Sequence, residues 1–308
     1  MPKFNQPDPR NAGTWCWVNG PVLRENAKVS VLDSVVQGGD AVWEGLRIAN
    51  GKIYQMEEHL HRLMESAHAL MFADIPSLEE VRHAVFETLE RNQMTDGVHI
   101  RLTLTRGEKT TSGMDPKLNT LGSTLVVLPE YKGAVYGSGQ LSLITSSIRR
   151  NAPSFLDSKI HHNNLLNNIL AKIQANHAGA DDAVMLDDRG FLAETNATNL
   201  FLVKDGVLCT PHAHACLPGI TRAYTLDLAQ RLDIPVQEGD FSLTELYTAD
   251  EAFTTGTMGG LAHITQVDGR SIGEGPGTGP GPVTQRLQEV YAHHISFTPL
   301  PFLDGKSD

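Results

Sequence analysis

Ser158-Lys159-Ile160-His161-His162-Asn163-Asn164 is the stretch on which the reading turns, because it opens an ordered series of four segments. Next comes Ala193-Glu194-Thr195-Asn196-Ala197-Thr198-Asn199-Leu200-Phe201. Then come Leu217-Pro218-Gly219-Ile220-Thr221-Arg222 and Thr255-Gly256-Thr257-Met258-Gly259. Alone, Lys159 reads as a solvated charge between a loop and a helix. Glu194 reads as a strand-end carboxylate, and each Gly/Thr turn as ordinary punctuation. In this order they are an amine, a carboxylate and two turns with backbone donors.

That combination is what pyridoxal 5'-phosphate needs: a Schiff-base amine, a partner for the ring nitrogen and donors for a phosphate. Lys159 must be neutral to attack a carbonyl, which partial burial and a nearby cation favour. Its flanks are short polar residues rather than the acidic partners of a surface ion pair. An ionised Glu194 would keep the pyridine nitrogen protonated, with Thr195, Asn196, Thr198 and Asn199 able to support it by hydrogen bonds. Gly219 allows close backbone approach, and a helix starting near Thr221 would aim free N–H groups at an anion. Small residues around Gly256 and Thr257 offer a second such turn. Arg62 lies on the polar face of a helical stretch, where by itself it reads as a partner for Glu58 or Glu65.

The 308 residues are 40% apolar and 20% charged, and carry a net charge of −11. This is ordinary for a soluble globular enzyme of one large or two modest domains. The negative field argues against a nucleic-acid or anionic-membrane partner. Cys16, Cys209 and Cys216 are odd in number and show no CxxC spacing, so neither a disulfide framework nor a zinc site is expected. A cytoplasmic home is the simplest expectation. No stretch approaches the roughly 20 apolar residues of a membrane span, and the first ten residues lack an apolar signal core. The histidine pairs 161–162, 212 with 214, and 293–294 do not make a metal site. GxSxG, Walker A and GxGxxG patterns do not occur.

Residues 1–13 read as a surface tail. Strands are expected at Trp15–Gly20, Val29–Leu32, Trp43–Ile48, Ile53–Gln55, Val98–Thr105 and Ser123–Leu128, with Asn50-Gly51 as a hairpin turn. Leu60, Leu63, Met64, Ala67, Leu70 and Met71 place one apolar face on a helix over Met56–Met71. Ser77 and Glu80 form a capping box for a second helix reaching Asn92. Residues 1–130 therefore read as a small α+β domain with a mostly antiparallel sheet, 131–139 as a linker and 140–308 as a larger domain. In the latter, strands are expected at Leu141–Ser146, Ala183–Leu186, Leu200–Val203, Val207–Cys209 and Ala252–Thr254. Helices are expected at Asn163–Ala178, Thr221–Leu232, Leu243–Thr248 and Val283–His293.

In order and spacing, these segments resemble the class IV, branched-chain type, pyridoxal-phosphate aminotransferases. The resemblance runs from about Val18 to Tyr291. It is also carried by Val42-Trp43-Glu44-Gly45-Leu46-Arg47, His59-Leu60-His61-Arg62-Leu63, Ile100 to Gly107, Ala249 to Phe253 and Gly281-Pro282-Val283-Thr284. It implies a two-domain α+β fold of the D-amino acid aminotransferase-like kind. It implies that Lys159 is the catalytic lysine that bonds the cofactor and moves the substrate proton, and that Glu194 pairs with the ring nitrogen. Arg62, the Ile220 and Thr221 amides beside Gly219, and Thr257 would hold the phosphate, with Leu217 against the ring. The Thr257-Met258 turn would offer amides to a substrate carboxylate. The family is dimeric or larger, and a neighbouring subunit's loop, here near Gly113-Met114-Asp115-Pro116, would help close the pocket.

The substrate shell departs from the branched-chain pattern. Asn164, His99 and Gly38 stand where that pattern has two tyrosines and an aromatic residue. Trp43 and Arg101 remain, the latter either a carboxylate ligand or an interior arginine bonded to loop carbonyls. The Arg-x-His loop pair of the D-amino acid branch is also missing, with Thr111 and Gly113 in its place. The expected activity moves an amino group between a branched-chain-like L-amino acid and 2-oxoglutarate. The alternatives are a D-amino acid or (R)-amine donor, and a lyase of the 4-amino-4-deoxychorismate type.

Overall fold

The computed structural model describes residues 8–133, 136, 139–294 and 296–303, excluding the side chains of 292–294. The chain divides into two compact units, each described by itself. Unit 1 comprises Met1–Gly133, Ile160–Asn164 and Ser296–Asp308; unit 2 comprises Ala134–Lys159 and Leu165–Ile295. The tail 1–7, part of the expected linker (134, 135, 137 and 138) and the His293–His294 side chains lie outside the described residues.

Unit 1 holds strands β1 (Trp15–Val18) and β2 (Pro21–Leu23), helix α1 (Ser34–Gly38), β3 (Ala41–Ala49) and β4 (Lys52–Tyr54). Helices α2 (Met56–Ala69) and α3 (Leu78–Asn92) follow, then β5 (Val98–Thr105) and β6 (Thr124–Tyr131). The sheet is antiparallel, in the order Phe297–Pro299, β4, β3, β5, β6, β1, β2. Asn50 and Gly51 both have positive φ, 52° and 71°, which matches the right-handed twist of the β3–β4 hairpin. Leu60, Leu63 and Ala67 of α2 and Val81, Val85 and Leu89 of α3 pack against Leu46, Ile100 and Leu102 of the sheet. The Ser77–Glu80 capping box starts α3.

Val29–Leu32 is not a strand, and Val31 is 78% exposed. The next residue explains it. Asp33 is buried; its carboxylate caps α1 at the Val35 N–H and accepts the Thr105 and Thr124 hydroxyls. The chain is thereby drawn into a helical turn rather than along the sheet. β6 continues through Pro129 to Tyr131. β1 pairs with β6 only at Val126 and Val127, so Pro129 lies past that pairing, where a missing N–H is tolerated.

Unit 2 holds β7 (Gln140–Thr145), α4 (Leu166–Ala178), β8 (Asp182–Leu186), β9 (Leu192–Thr195), β10 (Asn199–Lys204) and β11 (Val207–Pro211). Next come α5 (Ile220–Arg231), β12 (Val236–Gly239), α6 (Leu243–Tyr247), β13 (Glu251–Gly256), β14 (Gly260–Val267), β15 (Arg270–Ser271) and α7 (Pro282–His294). The sheet runs β12-β11-β10-β13-β14-β7-β8-β9, with β15 on β14. It is mixed: β11–β12, β14–β7 and β7–β8 are parallel. Every residue of β8 and β9 is buried, the two-sided burial that makes strands read as continuous apolar runs.

α4 begins at Leu166, three residues later than expected. The Asn163 N–H bonds the Ala41 carbonyl, and the Asn164 amide bonds the Gly38 carbonyl. Those contacts hold Asn163 and Asn164 on unit 1 in a non-helical path. No helix among the described residues is long and apolar enough to cross a membrane.

Candidate active site

In unit 2 the centre is Glu194, on β9 opposite Met185 of β8. It is 5% exposed. Arg150 Nε donates to its Oε1; Asn199 Nδ2, at 3.2 Å, and the Leu217 N–H, at 3.4 Å, point to Oε2. A cation and neutral donors around a buried carboxylate favour its ionised form. The neighbouring Cys216 thiol is pushed up to about 12 by burial and by the Glu194 charge. Of the four polar residues after Glu194, Asn199 reaches the carboxylate. Thr195 and Thr198 bond each other, and Asn196 bonds Asp182 and the Ala183 N–H. Arg150 has no local sequence signal: it follows Arg149 in an irregular segment, 44 positions from its partner.

Asn199 also donates to the Leu217 carbonyl at 2.8 Å, which fixes the loop before α5. Gly219 is the N-cap of α5 and supplies no side-chain cap. A Cβ there would lie 1.9 Å from Asn199 Oδ1, so any side chain at this position must displace Asn199. Ile220 and Thr221 open α5, where N–H groups lack intrahelical acceptors. Thr221 Oγ1 is buried with no hydrogen-bond partner, as are Thr255 Oγ1 and Arg150 Nη1. Thr255 pairs with Asn199, a partner of Glu194, across β13 and β10. Thr257 and Met258 lie in the turn joining β13 to β14, closed by the Gly256–Gly260 pair. Gly256 packs on Thr198 and Gly259 on the Tyr136 ring, each where a Cβ would crowd its neighbour.

Lys159 departs from expectation. Its Nζ meets both oxygens of Asp157 at 3.3 Å, and its side chain is 44% exposed. The acidic partner absent from the immediate flanks is two residues upstream, where a turn brings it back: the Lys159 N–H also bonds Asp157 Oδ1.

In unit 1 the described geometry centres on Glu44 of β3, fully buried. Arg62 of α2 donates Nε to Oε1 at 2.8 Å and Nη2 to Oε2 at 2.7 Å. His59 Nδ1 lies 2.7 Å from Oε2 and His161 Nδ1 3.0 Å from Oε1. The exposed partners considered for Arg62, Glu58 and Glu65, are thus replaced by a buried one. Burial opposes the Glu44 charge, but His161 and Arg62 outweigh it and hold the carboxyl well below its usual range. Burial lowers His161 to about 4 despite Glu44. The ring is therefore neutral near pH 7, and its contact with the carboxylate assigns the proton to Nδ1.

The expected substrate residues of unit 1 share one neighbourhood. Trp43 packs on His161 with ring centroids 4.1 Å apart and planes tilted by 38°, and the Arg101 guanidinium carbon lies 3.4 Å from the Trp43 centroid. Arg101 also bonds Asn163 Oδ1 at 3.1 Å, and burial lowers it to about 10. His99 Nε2 would sit 3.2 Å from a Cβ on Gly45, which stands opposite Arg101 in the sheet. Burial lowers His99 to about 4. Gly38 and Asn164, two of the departures from the branched-chain pattern, touch: Asn164 Nδ2 donates to the Gly38 carbonyl at 3.2 Å.

The class IV amino-transferase family model matches residues 41–267. The chain belongs to that family. It is 56% identical over 293 residues to branched-chain-amino-acid aminotransferase-like protein 2 of Arabidopsis thaliana, covering 94% of this chain and 52% of that one. The chain thus spans about half the length of that relative. It is 39% identical over 281 residues to a putative branched-chain-amino-acid aminotransferase of Methanocaldococcus jannaschii, covering 89% and 94%. A branched-chain amino acid aminotransferase from T.th., solved with pyridoxamine 5'-phosphate, superposes with a TM-score of 0.85 at 34% identity, over 94% of each chain. The two-sheet α+β architecture of this class IV chain is shared with that solved relative.

Proposed function

We propose that this chain is a pyridoxal-phosphate-dependent transaminase acting on an amino acid and a 2-oxo acid. The observation that carries the reading is in unit 2. Buried, ionised Glu194 adjoins an uncapped helix N-terminus with the unpartnered Thr221 and Thr255 hydroxyls. Buried donors of that kind fit a phosphate, and the carboxylate fits a protonated ring nitrogen. The resemblance to the family assigns Ile220, Thr221, Thr257 and Arg62 to the phosphate, with Leu217 against the ring. Bound there, the cofactor supplies a reactive carbonyl carbon and a ring that accepts the electron pair left when the substrate Cα–H ionises. Glu194 keeps a proton on the ring nitrogen. Lys159 Nζ takes the Cα proton and returns one on the cofactor side, after leaving Asp157. The Met258 turn, Trp43, His99, Arg101 and Asn164 would orient the substrate.

The relatives named above favour a branched-chain-like L-amino acid as donor. The altered positions Gly38, His99 and Asn164 bear on that choice, and D-amino acids or (R)-amines are the contrasting donors. A second copy would cover the exposed apolar stripe Leu166, Ile169, Leu170 and Ile173 on α4, giving a homodimer or larger assembly. The three cysteines are buried and free, which suits a cytoplasmic setting.

The test is a half-reaction followed by absorbance, adding L-leucine, L-glutamate, D-alanine or (R)-phenylethylamine separately. Conversion of the bound cofactor to its amine form by the L-acids alone supports the branched-chain-like reading; conversion by the others replaces the donor. Lys159→Ala is expected to lower steady-state transamination at least about 100-fold, and undiminished turnover would overturn the mechanism.

A further inference from the structure

A carboxylate with no solvent exposure is costly unless its oxygens are fully served. Glu44 meets that condition with donors from two separate stretches of chain: Arg62 and His59 on α2, and His161 on the segment Ile160–Asn164. Arg62 is gripped by its Nε–Nη2 edge in the bidentate geometry that fixes a guanidinium plane. The opposite edge, carrying Nη1, is necessarily turned away from Glu44. The same carboxylate fixes the Nδ1–H tautomer of His161, which packs on Trp43.

We propose that Glu44 is a positioning residue for anion binding, clamping Arg62 and His161 so that the guanidinium presents its outer edge to a phosphate in one orientation. This rests on the reading of Arg62 as a phosphate ligand. Coulomb attraction alone argues the other way, since a carboxylate against Arg62 cancels part of the pull on a phosphate. Removing Glu44 would then tighten phosphate binding. Positioning argues that removal loosens it, because a long, rotamer-rich side chain is released from a single orientation. The two accounts differ in sign.

The experiment titrates pyridoxal phosphate into the full chain and its variants by fluorescence, with inorganic phosphate as competitor. Glu44→Gln is expected to weaken cofactor binding 10-fold or more, Glu44→Asp to recover part of it, and Arg62→Met to weaken it at least as much. Unchanged or tighter binding by Glu44→Gln beside a weakened Arg62→Met overturns the role of Glu44 alone. Unchanged binding by Arg62→Met overturns the phosphate reading of Arg62 and this proposal with it. Should Glu44→Gln not fold, 15N-arginine spectra of the wild type decide. A protected, slowly exchanging Arg62 Nε–H is expected; exchange as fast as that of exposed Arg231 overturns the clamp.

Discussion

Glu44 and Glu194 are both carboxylates buried on strands and gripped by an arginine, yet their surroundings differ in one chemical respect. Glu44 is held by Arg62 together with two histidines. Glu194 is held by Arg150 together with a side-chain amide and a backbone N–H. The first network contains imidazole rings; the contacts described for the second contain none. The molecule thus carries a buried charge by two strategies, one built with imidazole rings and one with amide donors. All three tryptophans, Trp15, Trp17 and Trp43, fall in unit 1. Their fluorescence therefore reports one strategy separately from the other.

The largest effect is expected from Arg150→Met, which leaves Glu194 buried without its cation. Breaking such a pair costs about 3–5 kcal/mol. Chemical unfolding should show the loss in far-UV circular dichroism ahead of the tryptophan signal, and coincident, unshifted transitions would contradict it. Acid comes next. His99 and His161 are lowered to about 4 in the fold, against an ordinary value of about 6.5. Between those values the unfolded chain binds more protons, so stability falls as pH drops, by about 3 kcal/mol for each histidine. Glu44 acts in the same direction at lower pH: its depressed value adds stability above the ordinary carboxyl range, and that stability is lost as pH falls through the folded value. Tryptophan-detected unfolding midpoints should decline from about pH 6.5 to about 4, and His99→Gln should flatten the decline. A flat wild-type profile would erase the contrast. The smallest effect is Gly219→Ala, whose Cβ collides with Asn199 Oδ1. Overpacking of that kind costs about 1–3 kcal/mol. The cofactor affinity of the variant should fall with the displaced Asn199, and a fully retained affinity would show the loop to be more yielding than drawn.

Local chemistry was the legible part of this chain. Asn50-Gly51 and Ser77-x-x-Glu80 carry their turn and cap in a few adjacent residues, and the α2 stripe carries its face in its spacing. Glu194 and the Gly219 turn were visible because an unusual order of residue types marks them. Arg150 was not, because an arginine whose partner is 44 positions away looks like any other. Asp157 was missed for a smaller reason: the turn that returns it to Lys159 has no residue pattern of its own. Strands β9 and β14 escaped because burial on both faces removes the alternation by which a strand is recognised. Glu44 stood in plain view within the Trp43 segment, but three donors from elsewhere in unit 1 give it its meaning.

Unit 1 is assembled from three separate stretches of chain. One of them is the five-residue return that begins immediately after Lys159, and another supplies the Phe297–Pro299 strand beside β4. A polypeptide ending at Gly133 would lack His161, and with it a donor to Glu44, and would expose the edge of β4. The two units are therefore not interchangeable cassettes that recombination could cut out and paste whole. Inheritance of one entails inheritance of the other, and Lys159 sits at a stitch between them along the chain.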